Sequence, residues 1–273
     1  MTGLRGKAGG ERGFALVLVL WSLVLLSLIT ARLVVSGRDN ARLASNLRAG
    51  AQAEMLADAA VHEAMFHLLD ARDPWPADGA PRRLSLSGGA VVLRMEDQAG
   101  LVNPNSAPDN LLRAMLRRAG ADTGAARSIA AAMEDWRTVE ARAREGGAKA
   151  PEYQAAGRSY GPPGAPFRSV GELGLVLGMT PVLLDRLRPH MTVFYEGDPD
   201  PGLASPFVLQ ALRDATGQAD LGNGSREGVR TVAITAEAVG VGGGRFVRRA
   251  VVRAGAASGG RPYQVFEWRR LSE

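Results

Sequence analysis

The chain has no cysteine, and only two of its 273 residues are lysine, Lys7 and Lys149. The first absence excludes a disulfide framework, thiolate metal sites and a cysteine nucleophile. The second leaves nearly all basic charge to arginine, interspersed with Asp and Glu, so the net charge of +5 does not mark a nucleic-acid surface. There are three histidines, His62, His67 and His190, too few and too far apart in sequence for a metal triad. His62 is expected to be a packed core residue. No HExxH, GxxxxGK[ST] or GxSxG pattern occurs. The glycine run Gly240 to Gly244 stands between two alternating segments and is followed by Arg245, so it reads as a hairpin loop and not a phosphate cradle. Nothing here points to an enzyme.

Long apolar runs are equally scarce, and the single one is therefore informative. Phe14 to Ala31 reads FALVLVLWSLVLLSLITA, broken only by Ser22, Ser27 and Thr30 and free of charge. Crossing a bilayer takes roughly 20 apolar residues, whereas a secretory signal core has only about 7–15. A membrane tether is the expectation. Arg5, Lys7 and Arg12 precede the run, but Arg32, Arg38 and Arg42 follow it, so flanking charge does not set orientation. No comparable run follows, which excludes a polytopic membrane protein.

Past the run, Ala, Leu, Arg, Glu and Met continue without proline to Leu69, and Asp73-Pro74-Trp75-Pro76 stops what should be one long helix. Leu47, Ala51, Met55, Ala59, His62, Phe66 and Leu69 recur every four or three residues, a stripe expected to pack on a sheet. A hairpin is expected over Arg83 to Met95. A helical texture follows from Asn105 to about His190, with helices expected near Leu111 to Met115, over Thr123 to Trp136, after a Ser169–Glu172 capping box, and from Thr180-Pro181. Thr192 to Tyr195 reads as a strand and Pro206 to Ala215 as a short helix. Val229 to Val239, Arg245 to Arg253 and Tyr263 to Arg269 read as strands. The order indicates an α+β fold with an all-α insertion.

Two acidic groups invite a calcium test. Glu196, Asp198 and Asp200 alternate in a loop, a spacing from which oxygen ligands can converge on the ion, although EF-hand length and glycine placement are missing. Glu134, Asp135 and Glu140 surround a helix end. No motif requires a cofactor. Phe167 to Leu187, with its bend at Leu177-Gly178-Met179-Thr180, is similar to a helix-hairpin-helix. It has one glycine at the hairpin and no lysine beside it, which favours a packing role over DNA-backbone contact.

Taken together, the chain resembles the minor pseudopilin K family of type II secretion. The basic leader ending at Gly13, followed by Phe14 and the apolar helix, is similar to a prepilin peptidase site. Asp97-Gln98-Ala99-Gly100-Leu101-Val102-Asn103-Pro104-Asn105-Ser106-Ala107, Asp135-Trp136-Arg137 and the stretch from Pro166-Phe167 to Val193 resemble the family's internal motifs. The resemblance implies cleavage between Gly13 and Phe14, N-methylation of Phe14, and a single-pass inner-membrane protein with a cytoplasmic N-terminus and a periplasmic C-terminal domain. Most pseudopilins carry glutamate at the fifth mature position; here it is Leu18, as in this family. The implied fold is α+β, a pseudopilin fold in which a long N-terminal helix packs on an antiparallel sheet and carries an inserted all-α domain. Its divisions would be a leader at 1–13, the helix at 14–72, the α/β domain at 80–97 and 192–273, and the insertion at 98–191.

The implied role is a tip subunit of the pseudopilus that helps start assembly. Implied partners are minor pseudopilins I and J, the major pseudopilin, prepilin peptidase, secreted exoproteins and the outer-membrane secretin, with no nucleic acid. Some members bind calcium, but Arg137-Thr138-Val139-Glu140 here replaces the usual Asp-rich continuation. The rival readings are a membrane-anchored helix-hairpin-helix protein for DNA uptake, which would use Arg186 and Arg188, and a minor type IV pilin, against which the insertion argues.

Overall fold

The computed structural model describes residues 11–217, 229–255 and 262–271, and in the first helix the side chains of 14–30 and from 39 onward. Residues 1–10 of the expected leader, and the side chains of Arg12, Ala31, Arg32 and Arg38, lie outside the described residues.

Helix α1 runs unbroken over Glu11–Leu69, 59 residues, about 90 Å at about 1.5 Å per residue. It ends as expected before Asp73-Pro74. Its buried face is not the expected one. Ala53, Leu56, Ala57, Ala60, Val61, Ala64 and Met65 face the sheet, while Leu47, Met55 and Phe66 are 66%, 72% and 63% exposed. The stripe of large side chains is thus the outer face. His62, expected in the core, is exposed there too; its Nδ1 lies 2.7 Å from the Asp58 carbonyl and its ring 5.3 Å from Trp268. Four of these seven sheet-facing residues are alanines, because the backbones come close. A Cβ on Gly244 would meet the Ala49 carbonyl, so the β3–β4 turn is pressed onto the helix and only glycine fits.

The sheet has the order β1-β2-β3-β4-β5, each neighbour antiparallel. Its strands are β1 Arg82–Leu86, β2 Gly89–Asp97, β3 Arg230–Gly240, β4 Arg245–Ala254 and β5 Tyr263–Leu271. Val91, Leu93 and Met95 alternate inward on β2 and meet Val232, Ile234, Ala236 and Ala238 of β3 and Phe246, Ala250 and Val252 of β4 beneath α1. The glycine run turns the β3–β4 hairpin, with the Gly240 N–H donating to the Gly244 carbonyl at 2.9 Å.

Between β2 and β3 lies a helical block with its own core. It contains α2 Asp109–Arg118, α3 Thr123–Arg137, α4 Ala150–Ala155, α5 Pro181–Leu187 and α6 Pro206–Thr216. Leu112, Met115, Ile129, Met133, Trp136, Tyr153, Phe167, Leu173 and Leu187 fill it, together with Val208 and Ala211 of α6. Helix α6 lies beyond residue 191, so the helical core reaches past the expected insertion boundary. Several local expectations also change. Thr192 to Tyr195 forms no strand; only Met191 bridges, in parallel, to Val102. The Ser169–Glu172 signal opens a 3₁₀ turn, Val170–Leu175, and the Ser169 side chain makes no cap. Between α3 and that turn lies α4, a helix not expected from the sequence. Thr180, in contrast, caps α5 as expected, accepting from the Leu183 N–H at 3.3 Å.

Candidate functional site

Three regions bear on function: the N-terminal arm of α1, the outer face of the same helix, and the helical block. On the arm, Phe14 is 70% and Leu18 54% exposed, and every described side chain from 14 to 30 is exposed. Two of the three polar breaks are closed internally, because the Ser22 and Thr30 hydroxyls donate to the Leu18 and Leu26 carbonyls at 2.8 Å each. The arm therefore presents apolar surface all round. Among the described residues no helix is long and apolar enough to cross a membrane. The expected span from Phe14 to Ala31 reaches a residue whose side chain is not described, and Gly13 is described only as helical backbone.

Farther along α1, exposed Leu43, Leu47, Met55 and Phe66 continue the apolar surface over the sheet domain. Beside them Gln52, Met55, Leu56 and Ala59 form, with Leu86 and Gly88 of the first hairpin, a groove of about 320 Å³.

In the helical block the motif residues hold loops together. Asp97 caps the turn after β2, accepting from the Ala99 N–H at 3.1 Å, and pairs with Arg230 of β3 at 3.3 Å. Asn103 donates to the Tyr195 carbonyl at 2.7 Å and accepts from the Asn105 N–H at 2.8 Å. Asn105 binds Phe167 in both directions, donating to its carbonyl at 3.0 Å and accepting from its N–H at 2.7 Å. That clamp lays the Phe167 ring flat on Trp136, with ring centroids 5.7 Å apart and planes 4° from parallel. Arg137 completes the set, donating to the Pro104 carbonyl at 2.7 Å.

The candidate calcium groups do not assemble into a ligand cage. Glu196 and Asp198 are exposed, and Asp200 accepts from the Gly202 N–H at 2.8 Å within its own turn. Among the described residues no group of three acidic or histidine side chains is placed to hold a metal ion. Around the end of α3 the carboxylates are matched by the chain's own cations. Glu134 lies 3.0 Å from Arg144 and 3.6 Å from Arg137. Asp135, 1% exposed, accepts from the Arg144 N–H at 3.1 Å. Glu140 is held below the usual carboxylate range, first by its own backbone N–H and then by Thr138, with Arg144 and Lys149 contributing through charge. Lys149 is buried, and sequence reasoning passed over it; the only signal was its rarity. Arg137, Arg144 and Lys149 thus lie among the carboxylates that a calcium ion would recruit, with Arg144 Nε 3.7 Å from the Asp135 Oδ1 that no hydrogen bond reaches.

The hairpin near Gly178 is also committed to packing. Gly178 has a φ of 87° and sits against Ile129. Arg186, proposed for DNA contact, donates to the Ala119 carbonyl at 2.8 Å and caps the end of α2.

The fold as a whole is similar to that of a chain already solved. It matches a chain in the crystal structure of the GspK-GspI-GspJ complex from the type 2 secretion system of enterotoxigenic Escherichia coli. The TM-score is 0.62 at 16% identity, over 87% of this chain and 100% of that one. Residues 89–196 match the model of the type II secretion system (T2SS), protein K family. No curated protein matches it by sequence.

Proposed function

We propose that this chain is the minor pseudopilin K of a type II secretion system and stands at the tip of its pseudopilus. The supporting observation is the protein K match over residues 89–196 within a fold shared with a subunit of the GspK-GspI-GspJ complex. Its partners are minor pseudopilins I and J, and below them the major pseudopilin. The apolar arm from Phe14 anchors the chain in the inner membrane after prepilin peptidase cuts between Gly13 and Phe14. Phe14 to Ala31 falls at the short end of the roughly 17–25 residues that span a bilayer. On assembly the arm and the outer face of α1 pack among neighbouring helices, which suits a surface apolar on all sides.

Leu18 fits a tip position. A glutamate there would need the N-terminal amine of a subunit above, and an unpartnered buried carboxylate is costly. The helical block, broader than a shaft subunit allows, faces secreted proteins and the outer-membrane secretin. The role is structural, with no chemistry assigned to any side chain.

Co-expression of the full chain with its cognate minor pseudopilins I and J, followed by affinity purification in detergent, tests the assignment. A stoichiometric complex is expected, and Phe66→Glu on the outer face should weaken it while leaving the fold intact. A well-folded chain that captures neither partner would overturn the reading. Mass spectrometry of the N-terminus tests the processing step: Gly13→Asp should leave the leader attached.

A further inference from the structure

The chain's second lysine sits where a bound cation would be useful. Lys149 is 6% exposed. Its Nζ donates to the Asp135 carbonyl at 2.6 Å, the Thr138 carbonyl at 2.6 Å and the Thr138 hydroxyl at 3.3 Å. Those carbonyls lie at the C-terminal end of α3, where helix carbonyls lack partners and the dipole favours positive charge. An ammonium has three protons, and three oxygens meet it.

The surroundings are built to hold it. The Lys149 N–H is met by Glu152 at 2.8 Å, which begins α4 and fixes the start of the stem. Gly147 lies so close to the Asp135 carboxylate that a Cβ would collide with Oδ2. The loop from Thr138 to Lys149 is thus tied at its middle, by Arg144 on Glu134 and Asp135, and at its end, by Lys149 on the end of α3.

We infer that Lys149 is a built-in cation, its ammonium closing the end of α3 and the 138–149 loop in place of a divalent metal, so that the helical block folds without calcium. The local charges agree: Arg137, Arg144 and Lys149 already lie among Glu134, Asp135, Glu140 and Glu152, so a dication entering there would have to displace resident cations from the same oxygens. The carbonyls that a calcium ion would recruit are already taken by Nζ.

Thermal unfolding of the full chain in detergent, in chelator and in millimolar calcium, tests this directly. The two midpoints should agree within about 1 °C, whereas calcium held at 100 times its Kd would raise the midpoint by roughly 5–10 °C. A calcium-dependent rise of that size in the wild-type chain would overturn the inference. Lys149→Met keeps the stem and removes the charge. It should raise hydrogen exchange over residues 138–149 at least about tenfold, since the loop loses its tie, and calcium should not restore protection. Wild-type exchange in that variant would overturn the inference as well. Because the calcium arm uses the unmodified protein, it remains decisive if the variant fails to fold.

Discussion

Arg248 of β4 and Asp58 of α1 form a two-point ion pair across the helix–sheet interface, Nε to Oδ1 at 2.6 Å and Nη2 to Oδ2 at 3.2 Å. Nη2 also reaches Glu54 at 2.7 Å. Phe246 and Trp268 flank the guanidinium, 4.7 Å and 5.4 Å from its centre to theirs. One arginine therefore sets the position of α1 along the sheet. Arg248→Met leaves Asp58 facing an apolar stem, and should cost about 2–3 kcal/mol. That figure lies between the roughly 0–1 kcal/mol of exposed pairs and the roughly 3–5 kcal/mol of broken buried ones. Chemical denaturation of the variant checks it; Arg248→Lys should recover only part, since an ammonium cannot make the two-point contact.

Asn105 should be among the least replaceable residues of the helical block. Its amide serves both backbone groups of Phe167. Asn105→Ala strands them and frees the ring from Trp136, with an expected loss of about 2–4 kcal/mol. Asn105→Asp keeps the acceptor and loses the donor, so it should fall between the two. Trp136 fluorescence during unfolding reports the change.

The β3–β4 turn gives a glycine test. Gly244→Ala places a methyl group against the Ala49 carbonyl of α1. The expected cost is about 1–3 kcal/mol, because backbone on both sides has to shift. Gly243 has a φ of 76° and open space around it, so alanine there should cost only the strain of the left-handed backbone, about 1 kcal/mol. Comparing the two variants by thermal melting separates crowding from conformation.

His190 should give the helical block an acid-sensitive edge. Burial holds it below its ordinary value near 6.5. Its ring stacks on Phe207 at 4.3 Å and its Nδ1 lies 3.1 Å from the Ser205 hydroxyl. With the folded pKa depressed, the unfolded chain takes the proton first. The stability involved is complete above about pH 6.5 and is lost as pH falls through the folded value. Melting midpoints should therefore drop between about pH 7.5 and about pH 5. His190→Gln should flatten that dependence while Asp and Glu contributions persist.

Much of the architecture was legible along the chain. Turn chemistry and alternation marked the first hairpin and the last three strands, and Asp73-Pro74 marked the end of α1. These signals are local: proline removes a donor and fixes φ, and a half-buried strand has to alternate. The helical block was legible as helices, yet its extent was not. Nothing local says that Val208 and Ala211 close the same core as Leu112 and Met115. Lys149 was invisible for the same reason, since its oxygens come from residues eleven and fourteen positions earlier.

By itself the sequence determined that one apolar arm heads a long helix, that no cysteine or catalytic motif supports chemistry, and that helices interrupt a strand order. Only the tertiary structure decided which face of α1 is the core. Hydropathy weights large side chains and so favours the Leu47, Met55 and Phe66 stripe. A helix pressed closely onto a sheet, however, has room for Ala53, Ala57, Ala60 and Ala64, because close packing is governed by volume as well as by apolarity. The larger Leu47, Met55 and Phe66 are left on the outside of the helix.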